Sequence, residues 1–245
     1  MPANTKNISI VLYKPKYAGN IGSIARAAKN MGIINIIVVG KDDFDREEMQ
    51  QRSTHLAADV VDSIQYVAGI EEALGSFNYI VGTTARLGKA RGPFIAPRAV
   101  ARDVVDISQK NKVALLFGPE DTGLANDELR FCQAVVNIPT SREFTSLNLS
   151  HAVMILCYEI FIASSEPTTL AAATPKLALS SEQEGMYGQI KTLLADIEFL
   201  NPENPDYWMM HIRHFFARSG LLSREVKIIR GICRQLEWSV RHKKP

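Results

Sequence analysis

The run Val113–Phe117 constrains the fold of this chain more than any other stretch. Its five residues are all apolar, and Gly118 and Pro119 follow at once. A short, uninterrupted apolar run is typical of a strand that is buried on both faces, as the central strands of parallel sheets are. Glycine and proline then end the strand, because both favour loops over extended chain. The run therefore predicts a parallel sheet that helices cover on both sides.

Shorter apolar runs on either side of this strand alternate with stretches of helical periodicity. We predict further strands over residues 7–13, 33–39, 79–81 and 134–138. We predict helices over residues 21–31, 98–109 and 147–162, and a weaker helix from Ser53 after a charged stretch over residues 41–52. Asn20 is the predicted N-cap of the first helix, and Gly32 its end. Alternation of this kind indicates an α/β domain with a mostly parallel sheet, here over residues 1–163.

The C-terminal part has a different character. Residues 164–181 are rich in proline, threonine and alanine, which predicts a linker to an all-helical domain over residues 182–245. The predicted helices cover residues 182–200, residues 205–220 with Asn204 as N-cap, and a third segment capped by Ser223. We assign two groups of residues to the core of this domain. They are the helix face Val226, Ile229, Ile232, Cys233 and Leu236, and the aromatic residues Tyr207, Trp208, Phe215 and Phe216.

Positive charge is concentrated at the C-terminal end. Residues 211–245 hold nine of the 28 Lys and Arg residues but only two of the 26 acidic residues. A basic end on a mildly acidic body indicates binding of a polyanion such as RNA, although basic residues on one helix also occur on ordinary solvated faces. The predicted RNA-binding residues of this part are Arg213, Arg218, Lys227, Arg230 and Arg234.

Cysteine and hydropathy patterns exclude several classes of protein. The three cysteines, Cys132, Cys157 and Cys233, are widely spaced and form no C-x-x-C pair. This pattern favours reduced thiols over disulfides or a zinc site, so we expect no metal. No stretch approaches about 18 continuous apolar residues, and the first residues contain no apolar leader. We therefore expect a cytoplasmic protein that does not bind membranes.

Two common kinds of site are disfavoured by their spacing. The sequence Gly-Asn-Ile-Gly from Gly19 follows a strand and opens a helix, but it lacks the G-x-G-x-x-G spacing of a dinucleotide site. A tight turn, or a phosphate site formed by the helix N-terminus and Arg26, fits better. Ser146 lacks the G-x-S-x-G context of a serine hydrolase, and we interpret His151 as a core residue.

Polar loops follow three of the predicted strands. They are residues 82–86, the loop that opens at Gly118, and residues 145–148. In open α/β sheets, ligands bind beyond the carboxyl ends of the strands, so these loops are the expected walls of a site. The threonines of the first loop suit the polar edge of a nucleoside. Glu120, in the second loop, is placed to accept a hydrogen bond from the backbone or from a ligand.

Three sequence motifs in these regions carry a family resemblance. They are N-I-G-S-x-x-R from Asn20, F-G-x-E-x-x-G-L from Phe117 and S-L-N-x-S-x-A from Ser146. In order and spacing they resemble the motifs of the SPOUT-class RNA ribose 2′-O-methyltransferases. Within that class, the chain is similar to the bacterial enzymes that methylate position 32 of the tRNA anticodon loop, on cytidine or uridine. The resemblance extends into the C-terminal helices and covers nearly the whole chain.

The resemblance implies a fold, a cofactor and a set of site residues. It implies a trefoil-knotted α/β domain, S-adenosylmethionine as methyl donor, tRNA as partner, and a homodimer that shares each active site. Implied cofactor-binding residues are Thr83, Thr84, Ala85, Gly118, Ile138, Thr145, Ser146 and Leu147. Implied catalytic residues are Arg26, Ser146, Asn20, Glu120 and Asn148. Arg26 and Arg86 join the C-terminal arginines and Lys227 as expected RNA contacts.

The chemistry limits what Arg26 can do. Methyl transfer requires the ribose oxygen to lie in line with the methyl group, and the hydroxyl must lose its proton. A guanidinium is a poor proton acceptor near neutral pH, so we expect Arg26 to hold the neighbouring phosphate while Ser146 orients the 2′-oxygen. A phosphate oxygen or a water then takes the proton. The alternatives are a ribosomal RNA 2′-O-methyltransferase with the same site, and a non-catalytic RNA-binding module on the same fold.

Overall fold

The computed structural model describes residues 2–86, 94–165 and 175–242, and a seven-stranded parallel sheet forms its centre. The strands are β1 (Ile8–Tyr13), β2 (Asn35–Val39), β3 (Gln65–Val67), β4 (Tyr79–Thr83), β5 (Phe94–Ile95), β6 (Val113–Phe117) and β7 (Ala134–Val136). Their order in the sheet is β3-β2-β1-β6-β4-β7-β5. Every pairing is parallel, which confirms the predicted class of sheet.

The helices of the α/β part of the chain, called the first part and ending at Ser165, cover both faces of the sheet. They are α1 (Ala18–Asn30), α2 (Arg46–Ser53), α3 (Ala58–Asp62), α4 (Ile70–Leu74), α5 (Pro97–Ser108), α6 (Asn126–Leu129) and α7 (Leu149–Ser165). Residues of α1, α5 and α7 share one apolar core with one face of the sheet. Residues of α4 and α6 share a second core with the opposite face. Strand β6 lies in the middle, and all five of its residues are buried. The trefoil knot that the family resemblance implies stays a prediction.

Helix α1 begins earlier than the sequence suggests. Its N-cap residue is Tyr17, so the prediction of Asn20 as N-cap is wrong. Asn20 lies in the first turn, and its side-chain amide is bonded to residues far away in the sequence. The predicted end is confirmed, because Gly32 follows the helix with a φ of +72°.

The charged stretch and the sheet edges also differ from the prediction. Helix α2 begins inside the predicted charged stretch. The side chain of Asp45 caps it by accepting hydrogen bonds from the backbone N–H groups of Glu47 and Glu48. The weaker helix expected from Ser53 begins only at Ala58. The edge strands β3 and β5 have three and two residues and were not predicted, since such short runs carry no clear alternation.

The C-terminal part consists of helices α8 (Ser180–Asp196), α9 (Pro205–Ala217) and α10 (Ser223–His242), as expected. Asn204 and Pro205 stand at the predicted start of α9. The prediction of Ser223 as the cap of α10 is wrong, because Ser223 is the first residue inside the helix. Its hydroxyl donates to Glu182 Oε2 at 2.7 Å. None of the helices in the described ranges is long and apolar enough to cross a membrane. The predicted domain boundaries stay predictions, and most of the predicted linker lies outside the described residues.

Much of the predicted core of the C-terminal part is on its surface. Val226 and Cys233 are buried, and Ile229 is partly buried, but Ile232 and Leu236 are about half exposed. Tyr207, Trp208 and Phe215 are also about half exposed, whereas Phe216 packs against the core. Three helices enclose less volume than a two-sided sheet, so a smaller fraction of their apolar side chains can be buried.

Residues 175–178 join the two parts through buried side chains of the first part. Asn78 Nδ2 donates to the carbonyl of Leu177 at 2.8 Å. The backbone N–H of Leu177 donates to Asn111 Oδ1 at 2.8 Å, and Asn111 Nδ2 donates to the carbonyl of Pro175 at 3.0 Å. Both asparagines are buried, and the two bonds to Leu177 are shielded from water.

Candidate functional site

A cavity of about 380 Å³ lies beyond the carboxyl ends of β4, β6 and β7. Its walls come from the three polar loops expected from the sequence. The lining residues are Thr83, Thr84, Ala85, Arg86, Phe117, Gly118, Pro119, Glu120, Asp121, Thr122, Gly123, Ile138, Thr145, Ser146, Leu147, Leu149 and Ala152. All eight residues expected to bind the cofactor are among them. The structure thus brings the three loops together, whereas the roles of their residues stay predictions.

The first wall is fixed by the neighbours of β4 in the sheet. Thr83 Oγ1 donates to the carbonyl of Leu116 at 3.2 Å. The backbone N–H of Thr84 donates to the carbonyl of Val136 at 3.0 Å, and Asn137 Nδ2 donates to the carbonyl of Thr84 at 2.9 Å. These bonds reach both flanking strands, so the two threonines are held rigidly at the rim of the cavity.

The second wall is the loop over residues 118–124, which folds back on itself. A Cβ on Gly118 would lie 2.4 Å from the backbone carbon of Gly123 and the backbone nitrogen of Leu124. The backbone N–H of Gly123 donates to the carbonyl of Pro119 at 2.8 Å, and Gly123 has a φ of +57°. Glycine is therefore required at position 118 by the close approach of the chain.

A hydrogen-bonded chain connects residues from all three motifs. Glu120 accepts from Asn20 Nδ2 through Oε1 at 2.9 Å and from the backbone N–H of Lys16 through Oε2 at 2.9 Å. Asn20 Oδ1 in turn accepts from Asn148 Nδ2 at 3.0 Å. The expected role of Glu120 as a hydrogen-bond acceptor is confirmed. This chain, which we call the Asn20–Glu120–Asn148 network, fixes the relative positions of the three motifs.

Asn148 also orders the start of α7. Its Oδ1 accepts from the backbone N–H of Ser150 at 2.8 Å and from the Ser150 hydroxyl at 2.7 Å. The first of these bonds is that of a helix N-cap, which satisfies one of the free N–H groups of the first turn. Ser146 precedes this cap by two residues. The network therefore orders the backbone next to Ser146.

Lys16 is a residue of this site that the sequence did not single out. Besides its backbone bond to Glu120, its ammonium group pairs with Asp121 at 2.5 Å. This hydrogen bond lowers the pKa of Asp121 and raises the pKa of Lys16 from their ordinary values. Both side chains are about half exposed, so the pair contributes little stability. In the sequence, Lys16 stands out only by its position in the loop after β1.

Arg26 lies apart from the cavity. It is exposed on α1 and does not line the cavity. Within the described part of the chain, its guanidinium has no hydrogen-bond or ion-pair partner. It is therefore accessible to a ligand outside the single chain.

The other predicted RNA contacts fall into two groups. Arg218, Lys227 and Arg234 are exposed. Arg213 pairs with both carboxylate oxygens of Glu184, at 2.5 and 2.7 Å, and lies over the ring of Tyr187. Arg230 Nε donates to Gln189 Oε1 at 2.8 Å, and Arg86 is bonded to the loop over residues 118–124. The exposed group is free to contact RNA, while internal bonds already hold the second group.

Two other features, a groove and a buried thiol, lack the properties of a catalytic or cofactor site. A wider groove of about 1250 Å³ runs between the two parts of the chain, but none of the expected catalytic or cofactor residues lines it. Cys132 lies behind β4, where burial, with a smaller effect of Glu128, raises the pKa of its thiol to about 12. Such a thiol is unreactive near neutral pH. No group of His, Cys, Asp and Glu in the described ranges could hold a metal ion.

Comparison with known proteins agrees with this geometry. The model of the SpoU rRNA methylase family matches residues 7–158, and that of the C-terminal domain of the tRNA methyltransferase TrmJ matches residues 181–245. The tRNA (cytidine/uridine/adenosine-2′-O-)-methyltransferase TrmJ of Pseudomonas aeruginosa is 36% identical over 236 residues, which cover 92% of this chain and 91% of that protein. The tRNA (cytidine/uridine-2′-O-)-methyltransferase TrmJ of Cronobacter sakazakii is 34% identical, with coverage of 98% and 99%.

A solved structure shares the complete architecture. The crystal structure of TrmJ from Z. mobilis ZM4 superposes with a TM-score of 0.79 at 25% identity, and covers 97% of this chain and 99% of its own. Its similarity includes the C-terminal helices as well as the sheet, because almost the whole of each chain is aligned. The chain therefore belongs to the SpoU methylase family and carries, in addition, the C-terminal domain of the TrmJ tRNA methyltransferases.

Proposed function

We propose that this enzyme transfers a methyl group from S-adenosylmethionine to the ribose 2′-hydroxyl of a tRNA nucleotide, at position 32 of the anticodon loop. The observation that carries the proposal is the convergence of three polar loops, residues 83–86, 117–123 and 145–147, on one cavity, with the Asn20–Glu120–Asn148 network joining the first motif to the other two. The names of the relatives support tRNA over ribosomal RNA as the substrate.

The cavity fits S-adenosylmethionine in size and in chemistry. Its volume of about 380 Å³ lies in the range of small-molecule sites. The proposed binding residues are Thr83, Thr84 and Ala85 on the first wall, Gly118 on the second, and Ile138, Thr145, Ser146 and Leu147 on the third. Gly118 is a position where no side chain fits, because the backbone of Gly123 and Leu124 lies against it. When bound, the cofactor supplies an electrophilic methyl group on a sulfonium.

The residues of the chain would position the ribose and its phosphate. Ser146 orients the 2′-oxygen, because it lines the cavity and the capped start of α7 orders its backbone. Asn20, Glu120 and Asn148 act by fixing the loops. Arg26 is exposed and unpaired within the described ranges, so its guanidinium is available for the phosphate next to the target ribose. The proton passes to a phosphate oxygen or a water.

The proposal includes a homodimer and RNA binding by the C-terminal helices. Tyr158 and Phe161 on α7 are about half exposed, although the first turn of the same helix lines the cavity. An apolar helix face next to the site supports a shared interface between two copies. Exposed Arg218, Lys227 and Arg234 would contact the RNA backbone.

Methyl transfer from labelled S-adenosylmethionine to total tRNA tests the function. We expect the label on the ribose of nucleotide 32, located by nuclease digestion and mass spectrometry. Ser146→Ala should reduce the rate about 100-fold or more at unchanged thermal stability, because the 2′-oxygen loses its orienting group. A tRNA with a 2′-deoxyribose at position 32 serves as the control.

Three results would contradict the proposal. Label in ribosomal RNA alone would favour the ribosomal alternative. Label on a base would exclude 2′-O-methylation. Failure of the wild-type protein to bind S-adenosylmethionine in an equilibrium titration would favour the non-catalytic RNA-binding module.

A further inference from the structure

Arg86 connects two walls of the cavity. Its Nη2 atom donates to the carbonyl oxygen of Thr122 and, at 3.3 Å, to that of Leu124. Arg86 belongs to the wall that follows β4, whereas both carbonyls belong to the loop over residues 118–124. A side chain predicted to contact RNA is therefore bonded to the frame of the cavity.

The two halves of the loop over residues 118–124 are held by different contacts. Its first half is held from outside through Glu120 and Asp121, which bond Asn20 and Lys16. Its second half is where the chain turns back at Gly123. A guanidinium suits this place because its donors lie in one plane and can reach two neighbouring carbonyls at once.

Arg86 is itself anchored to the sheet. Its backbone N–H donates to Thr84 Oγ1 at 3.2 Å, and Thr84 Oγ1 donates to the carbonyl of Arg86 at 3.4 Å. Thr84 is 8% exposed and is bonded through its own N–H to β7. A continuous series of hydrogen bonds thus runs from the sheet through Thr84 and Arg86 to the turn at Gly123.

We infer that Arg86 is a positioning residue that holds the Thr122–Leu124 side of the cavity in shape for the methyl donor, instead of a contact to RNA phosphate. The inference rests on the proposed function, since it assigns the cavity to that donor. Without Arg86, this side of the cavity would have to be ordered when the ligand binds. The ordering cost would weaken donor binding, whereas RNA affinity would not change.

Titrations of the full-length protein distinguish the two roles. Arg86→Ala should raise the Kd for S-adenosylmethionine roughly tenfold, as expected for the loss of charge-assisted hydrogen bonds. Arg86→Lys should recover part of this loss. The Kd for tRNA and its dependence on salt should stay at the wild-type values. Arg46→Ala is the matched control, because Arg46 is also exposed and its ion pair with Asp62 lies on α2 and α3.

Hydrogen exchange of the ligand-free protein provides a readout that is independent of the donor. Faster exchange of residues 120–124 in Arg86→Ala than in the wild type and in Arg46→Ala is the expected result. Unchanged donor affinity in Arg86→Ala, together with a salt slope for tRNA reduced by about 0.7 to 0.9, would overturn the inference in favour of a phosphate contact. A wild-type protein that binds no S-adenosylmethionine would instead overturn the proposed function, while faster exchange in Arg86→Ala would still support the structural contact.

Discussion

Helices α1 and α10 show how differently the two parts of the chain are built. Helix α1 buries six of its 13 residues against the sheet and α2. Helix α10 is longer, with 20 residues, but buries only Val226 and Cys233. Helix α1 therefore packs its apolar face within the chain. The second part keeps apolar and basic surface exposed, which is expected of a region that contacts partners.

Glycines reveal the same difference in packing. A Cβ on Gly22 of α1 would lie 2.1 Å from the carbonyl oxygen of Met49, so the two helix backbones are in direct contact. No atom lies within 4 Å of the corresponding positions on Gly188 of α8 or Gly231 of α10. Gly22 permits the close approach of two helices, whereas Gly188 and Gly231 only weaken the helices in which they lie.

The largest expected effect on stability is that of Gly22→Ala. The new methyl group would force α1 away from α2, and we expect a loss of about 3 kcal/mol in the free energy of unfolding. Urea titration measures it. Gly188→Ala is the matched control and should stabilise the protein by about 0.5 to 1 kcal/mol, because alanine favours helix. Equal effects of the two substitutions would contradict the difference in packing.

Asn111→Ala tests the joint between the two parts. Asn111 is fully buried and bonds both Pro175 and Leu177, so its removal leaves the buried N–H of Leu177 and the part-buried carbonyl of Pro175 without this partner. We expect a loss of about 2 kcal/mol and a single thermal transition that separates into two in calorimetry. Asn204→Ala serves as the control, because Asn204 is exposed and its side chain makes no capping bond. One unshifted transition would show that the joint does not couple the two parts.

The smallest change in stability is expected for the triple substitution Arg218→Ala, Lys227→Ala and Arg234→Ala. Each side chain is exposed, so each change should alter the free energy of unfolding by no more than about 0.5 kcal/mol. Binding of tRNA should weaken, and its salt slope should fall by about 2, because three phosphate contacts are lost. The control replaces Lys6, Lys110 and Lys112, which precede β1 and β6 at the end of the sheet opposite the cavity. Equal losses of tRNA binding in both triple variants would show that the C-terminal helices have no special role.

Strand β6 and α10 illustrate what local pattern can predict. Five consecutive apolar residues followed by Gly118 and Pro119 sufficed to identify β6 as a central strand, since the run is short and ends at helix- and strand-breaking residues. Periodicity also located α10 and part of its buried face, since Val226 and Cys233 are buried and Ile229 is partly buried. Ile232 and Leu236 follow the same helical pattern, yet packing against α8 leaves them about half exposed.

Long-range contacts give two side chains partners that no local pattern indicates. Asn20 is a residue type that often caps helices, but Glu120 and Asn148 bond its amide across 100 and 128 residues of sequence. Arg213 belongs to a basic stretch in the sequence, but Glu184 and Tyr187 hold it in the structure. No local pattern reports such partners, because they depend on which elements become neighbours.

The sequence by itself determined the kinds of elements, the basic C-terminal end and the three motifs, because each depends on residues close together in the chain. The tertiary structure alone decided that the Asn20–Glu120–Asn148 network joins the three motifs and that Arg86 reaches the loop over residues 118–124. The physical reason is the order of the sheet, in which β6 lies between β1 and β4. That order brings distant strand ends together and places donors opposite acceptors that sequence separation does not relate.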